Sequence, residues 1–348
     1  MSNPLLKVEN LTKHYLLGSG FLRKRGPVVR AVEDVSFSVD AGETLCIVGE
    51  SGCGKSTVAR LLMRIVEPTA GRVLIEGTDI AGLDAHALRA WRRRMQMVFQ
   101  DPYSSLNPRL TAGQIITEPV ENFERLNRKQ CHALAADLLQ KVGMRPEIMH
   151  RFPSELSGGQ RQRLGIARAL SLKPSLIIAD EAVSALDVSV QAQILNLLLD
   201  LQRQMGIAFI FISHDLSVVE HIAHRVAVMY LGRIVELAPC EALFATPVHP
   251  YTEALIAAAP VPDPTLVRLE APVEGEVPSP INPPRGCAFH PRCPLAIERC
   301  RMEAPPLAPM PDGRIVACHV RAPATGPRIE QTAKYSSPTR TGQLQTPL

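Results

Sequence analysis

The eight residues GESGCGKS, Gly49 to Ser56, follow the spacing G-x-x-x-x-G-K-[ST]. Gly49, Gly52 and Gly54 let backbone N–H groups turn inward around phosphate oxygens, and Ser51 and Cys53 contribute to the same cradle. Lys55 is placed to reach β and γ oxygens, Ser56 to hold Mg²⁺, and Thr57 to complete the set. The chemistry is binding of a nucleoside triphosphate. Leu176–Ala179 is a buried-type apolar run that delivers Asp180 to its end, where a carboxylate can hold Mg²⁺, usually through water. Glu181 follows directly, placed to orient or deprotonate an attacking water. His214 ends the run FISH and would donate a hydrogen bond to the γ-phosphate. Gln100 closes the run Met95–Phe99 and would touch Mg²⁺ or that water.

A second glycine-rich stretch, LSGGQRQR, carries no lysine and no nucleophile. Ser157 is a good N-cap, and Arg161–Leu170 continues as a helix. The N-terminus of that helix, with Gly158, Gly159 and Gln160, offers free N–H groups and a positive dipole end to an anion. A chain that already owns a phosphate cradle has no need of another. Such a site makes sense if it completes a nucleotide held by a different chain.

These groups must be positioned by regular elements. Glu43–Val48 reads as a buried strand entering the glycine loop, and Lys55–Val66 as a helix stopping before Pro68. Arg72–Glu76 and Ser175–Ala179 read as strands, as does Ala208–Ser213. Gln191–Met205 is an amphipathic helix closed by Gly206, with Ile194, Leu197, Leu198, Leu201 and Met205 on one stripe. From Gln100 to Ala169 the pattern is mostly helical, and Leu134, Leu138, Leu139 and Val142 form one apolar face. Strand–helix–strand alternation implies a parallel sheet covered by helices.

The chain has 348 residues, 46% hydrophobic and 21% charged, with a formal net charge of +4. That suits a globular protein and not a nucleic-acid binder, whose surface would carry a strong basic stripe. The clusters Arg23–Arg25 and Arg92–Arg94 read as solvated faces. MSNPLLKVEN has no apolar core of a signal peptide, and no run reaches the roughly 18 apolar residues of a membrane span. Any membrane role is expected to come through partners.

After about Pro239 prolines multiply, and the residues from Arg321 onward read as a disordered tail. Four of the eight cysteines fall here, spaced Cys287-x5-Cys293-x6-Cys300-x17-Cys318. This is not a C-x-x-C zinc knuckle. Four thiolates could hold Zn²⁺ or an iron–sulfur cluster, with His290 and His319 as alternative ligands, or could stand as unoccupied buried cysteines.

The phosphate loop, Gln100, LSGGQ, Asp180–Glu181, SALD ending at Asp187, and His214 occur in the order of ATP-binding cassette (ABC) ATPases. The resemblance covers about residues 5–235. It implies an α/β fold: a P-loop ABC ATPase domain with a mixed sheet core and a helical subdomain. It also implies two such domains closing head-to-tail on two ATP molecules, with Ser157–Gln160 on the partner's γ-phosphate and Asp187 across the seam. Tyr15 resembles the aromatic that stacks on adenine.

The stretches VFQDPYSSLNP, VSVQAQ, MYLG and HPYT resemble the peptide/nickel importer ATPases, most of all the F-type subunit of dipeptide and oligopeptide permeases. That likeness extends nearly to Val320. It implies an ABC nucleotide-binding domain over 1–238 with its helical subdomain at about 101–170. A small C-terminal domain with a four-cysteine metal site over 239–320 and a tail over 321–348 follow. It favours a [4Fe–4S] cluster over Zn²⁺.

It further implies ATP hydrolysis at the cytoplasmic face of a bacterial inner membrane, in a peripheral subunit. Its expected partners are a second, related ATPase subunit, two permease subunits and an external binding protein; no nucleic acid is expected. The region Gln100–Asn107 would receive the permease. Dipeptide, oligopeptide, nickel or another small solute all remain open as cargo. Ala182 departs from the proline usual in that family, a change expected to alter loop stiffness. A soluble ABC ATPase of DNA repair or translation is the rival class. Neither the long coiled-coil insertion nor the second cassette of that class is visible here. A subunit that only clamps ATP is argued against by Lys55, Glu181 and His214.

Overall fold

A computed structural model gives the fold and describes residues 3–17, 26–259 and 275–322. The Arg23–Arg25 cluster and all but the first two residues of the expected tail lie outside them. The chain begins with two long antiparallel strands, β1 (Leu6–Leu16) and β2 (Val28–Val39). Next come β3 (Thr44–Val48), the glycine loop and α1 (Lys55–Leu62). α1 is shorter than its apolar pattern predicts. Arg64 takes a left-handed φ of 51°, and the Ile65 N–H donates to the Arg60 carbonyl at 2.9 Å, which closes the helix early.

β4 (Ala70–Ile75) and β5 (Thr78–Asp79) follow, then α2 (Ala85–Arg94) and β6 (Met95–Val98). A helical stretch comes next: α3 (Pro102–Ser105), α4 (Ala112–Glu121), α5 (Arg128–Lys141) and α6 (Gly158–Leu170). On α5, Leu138 and Leu139 are buried, as is Val142 just beyond it, in line with the predicted face. The alternation resumes with β7 (Leu176–Asp180), α7 (Val188–Met205), β8 (Ala208–Ile212), α8 (Leu216–Ile222), β9 (Arg225–Tyr230) and β10 (Arg233–Pro239). Helices α9 (Cys240–Ala245), α10 (Pro250–Ala257) and α11 (Glu298–Met302) and the two-residue strands β11 (Ala308–Pro309) and β12 (Ile315–Val316) complete the described chain.

Two sheets result. β2-β1-β4-β5 is antiparallel, and its long strands carry no sequence signal comparable to that of the inner strands. The larger sheet runs β11-β12-β10-β9-β3-β8-β7-β6. Its five strands from β9 to β6 are parallel, and β10, β12 and β11 add antiparallel pairs at one edge. The sheet is therefore mixed, as the family resemblance implies. The inner strands are fully buried because both faces are covered. Cys46, Val48, Ile177, Ala179, Phe209 and Phe211 face a core built with α4–α8. Leu45, Ile47, Leu176, Ile178 and Ile210 face a core shared with α1 and the antiparallel sheet.

Parallel pairing fixes the active edge. Ile47 and Asp180 both register with Ile212, and Val98 registers with Ala179. Residues leaving those strands therefore emerge side by side. They are Gly49, Glu181, His214 and Gln100, far apart in the sequence.

The C-terminal segment is joined to the same sheet. Glu236 and Leu237 of β10 pair with Val316 and Ile315, and Tyr251 and Phe289 belong to the core beneath α4–α8.

Candidate nucleotide site

The glycine loop between β3 and α1 has the backbone that its spacing predicts. Gly49 has φ 149°, and a Cβ there would meet the Met229 carbonyl oxygen at 2.2 Å. Gly54 has φ 106°, and a Cβ would meet the Ala31 carbonyl oxygen at 2.2 Å. Both positions exclude other residues by close approach as well as by backbone strain. Gly52, also at positive φ, has nothing within 4 Å of such a Cβ, so the loop is open there.

Lys55 is 5% exposed, and its Nζ donates to the carbonyls of Gly49 at 2.8 Å and Glu50 at 3.0 Å. The Cys53 N–H donates to the Glu50 carbonyl at 3.3 Å. Thr57 is half-buried on α1, and Ser51 is exposed on the loop.

Ser56 donates from its hydroxyl to Asp180 Oδ1 at 2.9 Å. Burial raises the Asp180 carboxyl above its ordinary range; the Ser56 hydrogen bond opposes this and the adjacent Glu181 charge adds to it. A buried hydroxyl–carboxylate pair beside a second carboxylate is a donor set suited to Mg²⁺, whose charge would relieve that cost. Glu181 has φ 48°, a left-handed backbone unusual for a glutamate. Its N–H donates to the Ile212 carbonyl at 3.0 Å, which anchors it to β8. Gln100 Nε2 donates to Glu181 Oε2 at 2.8 Å, and His214 Nδ1 stands 3.5 Å from Glu181 Oε1. Gln100, Glu181 and His214 thus meet on one carboxylate.

The other predicted residues lie apart from this group. Ser157 caps α6 in a reciprocal box: its Oγ accepts from the Gln160 N–H at 3.3 Å, and Gln160 Oε1 accepts from the Ser157 N–H at 3.0 Å. A Cβ at Gly159 would come within 2.6 Å of Val190, and one at Gly158 would touch Leu186 at 3.6 Å. The contacts of this loop among the described residues therefore run to the start of α7. Asp187 precedes α7 and is exposed, next to Val188 at 82% exposure. Ser157 and Asp187 are exposed, and Gly158–Gln160 are half-buried. Tyr15 is half-buried with Lys13 Nζ 5.0 Å from its ring centroid, and it pairs with Val29, two positions before Ala31. That places it on the β1–β2 strand pair, whose Ala31 carbonyl approaches Gly54.

Sequence reasoning missed a set of residues behind the loop. The Glu50 N–H donates to the Tyr251 hydroxyl at 2.9 Å. Arg292 forks onto the Glu50 carboxylate at 3.0 and 3.1 Å. Arg161 lies over the Tyr103 ring, 3.6 Å from its centroid, so α6 holds the α3 turn. The motifs MYLG and HPYT supply Tyr230 and Tyr251, yet no spacing rule links either to residue 50.

The four C-terminal cysteines are free thiols. The Cys287 N–H donates to the Cys300 carbonyl at 2.8 Å. Burial pushes the Cys287 thiol up to about 11, with the nearby Cys300, Cys293 and Cys318 adding to the shift. Burial also raises Cys293. Among the described residues, however, no three Cys, His, Asp or Glu side chains are arranged to hold a metal ion. The expected four-cysteine cage is not formed. The physical reason is that the four thiols sit on turns, one short helix and a loop, which no shared register brings to one point. The Arg321 N–H donates to Cys318 Sγ at 3.4 Å. Of the alternative ligands, His290 Nδ1 bonds the Cys287 carbonyl at 2.9 Å and His319 Nε2 the Glu303 carbonyl at 3.0 Å, while His319 Nδ1 is buried with no partner.

Comparison with known proteins agrees with this geometry. Residues 32–184 match the ABC transporter family model, and residues 235–300 match the oligopeptide/dipeptide transporter C-terminal region. A probable peptide ABC transporter ATP-binding protein of Sinorhizobium fredii is 78% identical over 97% of this chain and 95% of its own. The chain belongs to the ABC transporter ATP-binding proteins.

A di/tripeptide transport ATP-binding protein of Pseudomonas aeruginosa is 49% identical to this ABC protein, over 90% of this chain and 97% of its own. A solved dimeric ATP-binding cassette, in a post-hydrolysis state with ADP and Pi, superposes with a TM-score of 0.61. It shares 29% identity and covers 68% of this chain and 98% of its own. This protein is accordingly an ABC-type ATPase with a mixed sheet and helices. No helix among its described residues is long and apolar enough to cross a membrane.

Proposed function

We propose that this ATPase powers a binding-protein-dependent importer of dipeptides or oligopeptides. The observation that carries the reading is the meeting of Gln100, Glu181 and His214 beside Asp180, which the Ser56 hydroxyl ties to the phosphate loop. The C-terminal match over 235–300 directs it to peptide transport.

Lys55 and the loop amides, Ser51 to Thr57 with Gly49, bind the triphosphate of ATP. Ser56, Asp180 and Gln100 would hold Mg²⁺, which would supply positive charge against the phosphates. Glu181 takes the proton of the attacking water. Gln100 fixes one of its oxygens, and His214 faces the γ-phosphate. Tyr15 stacks on adenine.

Two cassettes close head-to-tail, one contributed by a second, related ATPase. Ser157–Gln160 and Asp187 complete the partner's nucleotide site. Gln100–Asn107 receives one of two permease subunits at the cytoplasmic side of the inner membrane, and an external binding protein delivers cargo. Residues 1–238 act as the nucleotide-binding domain and 239–320 as its C-terminal extension.

The same reading assigns Cys287, Cys293, Cys300 and Cys318 to an iron–sulfur cluster or Zn²⁺. The donor set supports it: four thiols within electrostatic reach of one another. Loading requires those thiols to lose their protons and close.

The test is uptake of a labelled dipeptide in cells deleted for this gene. Uptake restored by wild type and not by Glu181→Gln is the expected result. Uptake unaffected by the deletion, with no redundant system present, removes peptides as cargo.

A further inference from the structure

Glu50 occupies a variable position of the phosphate-loop pattern, yet all its polar groups are committed. Its carbonyl accepts from Lys55 Nζ at 3.0 Å and from the Cys53 N–H at 3.3 Å, on the phosphate side. Its N–H and its carboxylate both point away, to Tyr251 and Arg292, residues about 200 and 240 positions later in the sequence.

The Arg292 side chain is only 7% exposed, and its Nε is buried with no partner. The guanidinium's further contacts are the Tyr230 hydroxyl at 3.5 Å and the Tyr230 ring, whose centroid is 5.9 Å away. Glu50 is therefore the counter-charge that makes burial of this arginine tolerable. A bidentate fork also fixes direction, which a single contact or a lysine cannot do.

The far end of the fork is held firmly. Arg292 closes a short turn, His290–Arg292, and its N–H donates to the Phe289 carbonyl at 3.0 Å. Phe289 is 1% exposed and packs at 5.3 Å on Tyr230 and 5.4 Å on Tyr251. Tyr230 and Tyr251 themselves pack at 4.7 Å. Three aromatic rings from three separate segments thus seat the turn directly behind the phosphate loop.

We propose that Arg292 is a positioning residue for the phosphate loop, acting through Glu50, so that the C-terminal segment sets the affinity for ATP. The path runs from the guanidinium to the Glu50 carboxylate, through its peptide to the carbonyl, and so to Lys55 Nζ. A loop released at Glu50 still holds its glycines but loses the fixed orientation of the lysine perch. This inference rests on the reading of Gly49–Ser56 as the ATP site.

The test uses the purified full chain, with equilibrium titration of a fluorescent ATP analogue and steady-state hydrolysis. Arg292→Gln and Glu50→Gln each weaken ATP binding about tenfold, equal to about 1.4 kcal/mol. The double variant is no weaker than either single one, because both remove the same contact. Arg292→Lys keeps the charge, loses the fork and falls between. For Arg292→Gln, KM for ATP rises by more than kcat falls.

Unchanged ATP affinity in a folded Arg292→Gln protein, or additive losses in the double variant, overturns the proposal. If Arg292→Gln does not fold, Arg292→Lys, which keeps the charge beside Glu50 and loses the fork, decides alone; wild-type affinity there overturns the proposal. Lys55→Ala is the control. Loss of nucleotide in that variant keeps the ATP-site reading whatever Arg292 does, and retention removes both together.

Discussion

The phosphate edge carries a complete motif and the cysteine segment only a spacing that leaves its occupant open, and the structure treats them differently. At the edge, Gly49, Gln100, Glu181 and His214 leave four adjacent parallel strands, so sheet register alone brings them together. Side chains there are in hydrogen-bond contact, Ser56 with Asp180 and Gln100 with Glu181. In the segment, Cys287, Cys293, Cys300 and Cys318 sit on turns, one short helix and a loop, with no register to converge them. They are near one another and do not form a cage. A site framed by strands is preorganised. One framed by turns depends on what it binds to finish its shape.

That contrast can be broken or sharpened by experiment. The largest expected effect is at the edge. Asp180→Asn removes a charge that burial disfavours, so the Mg²⁺-free protein gains thermal stability while ATP hydrolysis falls by about a hundredfold or more. A melting scan beside an ATPase assay checks both signs. A variant that loses stability would show that the carboxylate is held by something other than Ser56.

Next is the segment. Protein purified without oxygen should contain iron or zinc, and Cys287→Ser or Cys300→Ser should lower metal content by at least about half. Metal analysis with absorbance spectroscopy decides it. Protein free of both metals ends the cluster reading and leaves buried thiols.

The smallest effect lies between the two regions. His249 is 1% exposed and caps α10, its Nδ1 accepting from the Tyr251 N–H at 3.1 Å. Burial lowers its imidazole from 6.5 to about 4, with the backbone of Ala317 opposing and the Arg321 charge assisting. The unfolded chain therefore binds a proton between those values and the folded chain does not. Stability falls as pH drops from about 6.5 towards 4, by at most about 1.4 kcal/mol per pH unit from this group. His249→Asn should flatten that part of a stability–pH profile; an unchanged slope assigns the acid sensitivity elsewhere.

Much of the edge was legible because its motifs are local. Gly49–Ser56, LIIADE and FISHD each carry a strand and its functional end in one stretch. The LSGGQ stretch announced a capped helix, and α6 has that cap. The helix α7 was read from Gln191 but starts at Val188, since exposed residues before the stripe give no period. The strands β1 and β2 were not legible: they are half-exposed, with register shifts in their pairing. Nor was the Arg292–Glu50 fork, because an ion pair between such distant residues leaves no spacing to read. The cysteine spacing was visible, but spacing alone does not fix thiol geometry.

In the proposed function, Glu181 activates water at a site that Lys55, Ser56 and Asp180 prepare for ATP and Mg²⁺. The most direct measurement is ATP turnover and nucleotide retention by wild type and Glu181→Gln, assembled with the permease. The variant should bind and retain ATP while turnover falls by at least about a hundredfold. Undiminished hydrolysis by Glu181→Gln would contradict it.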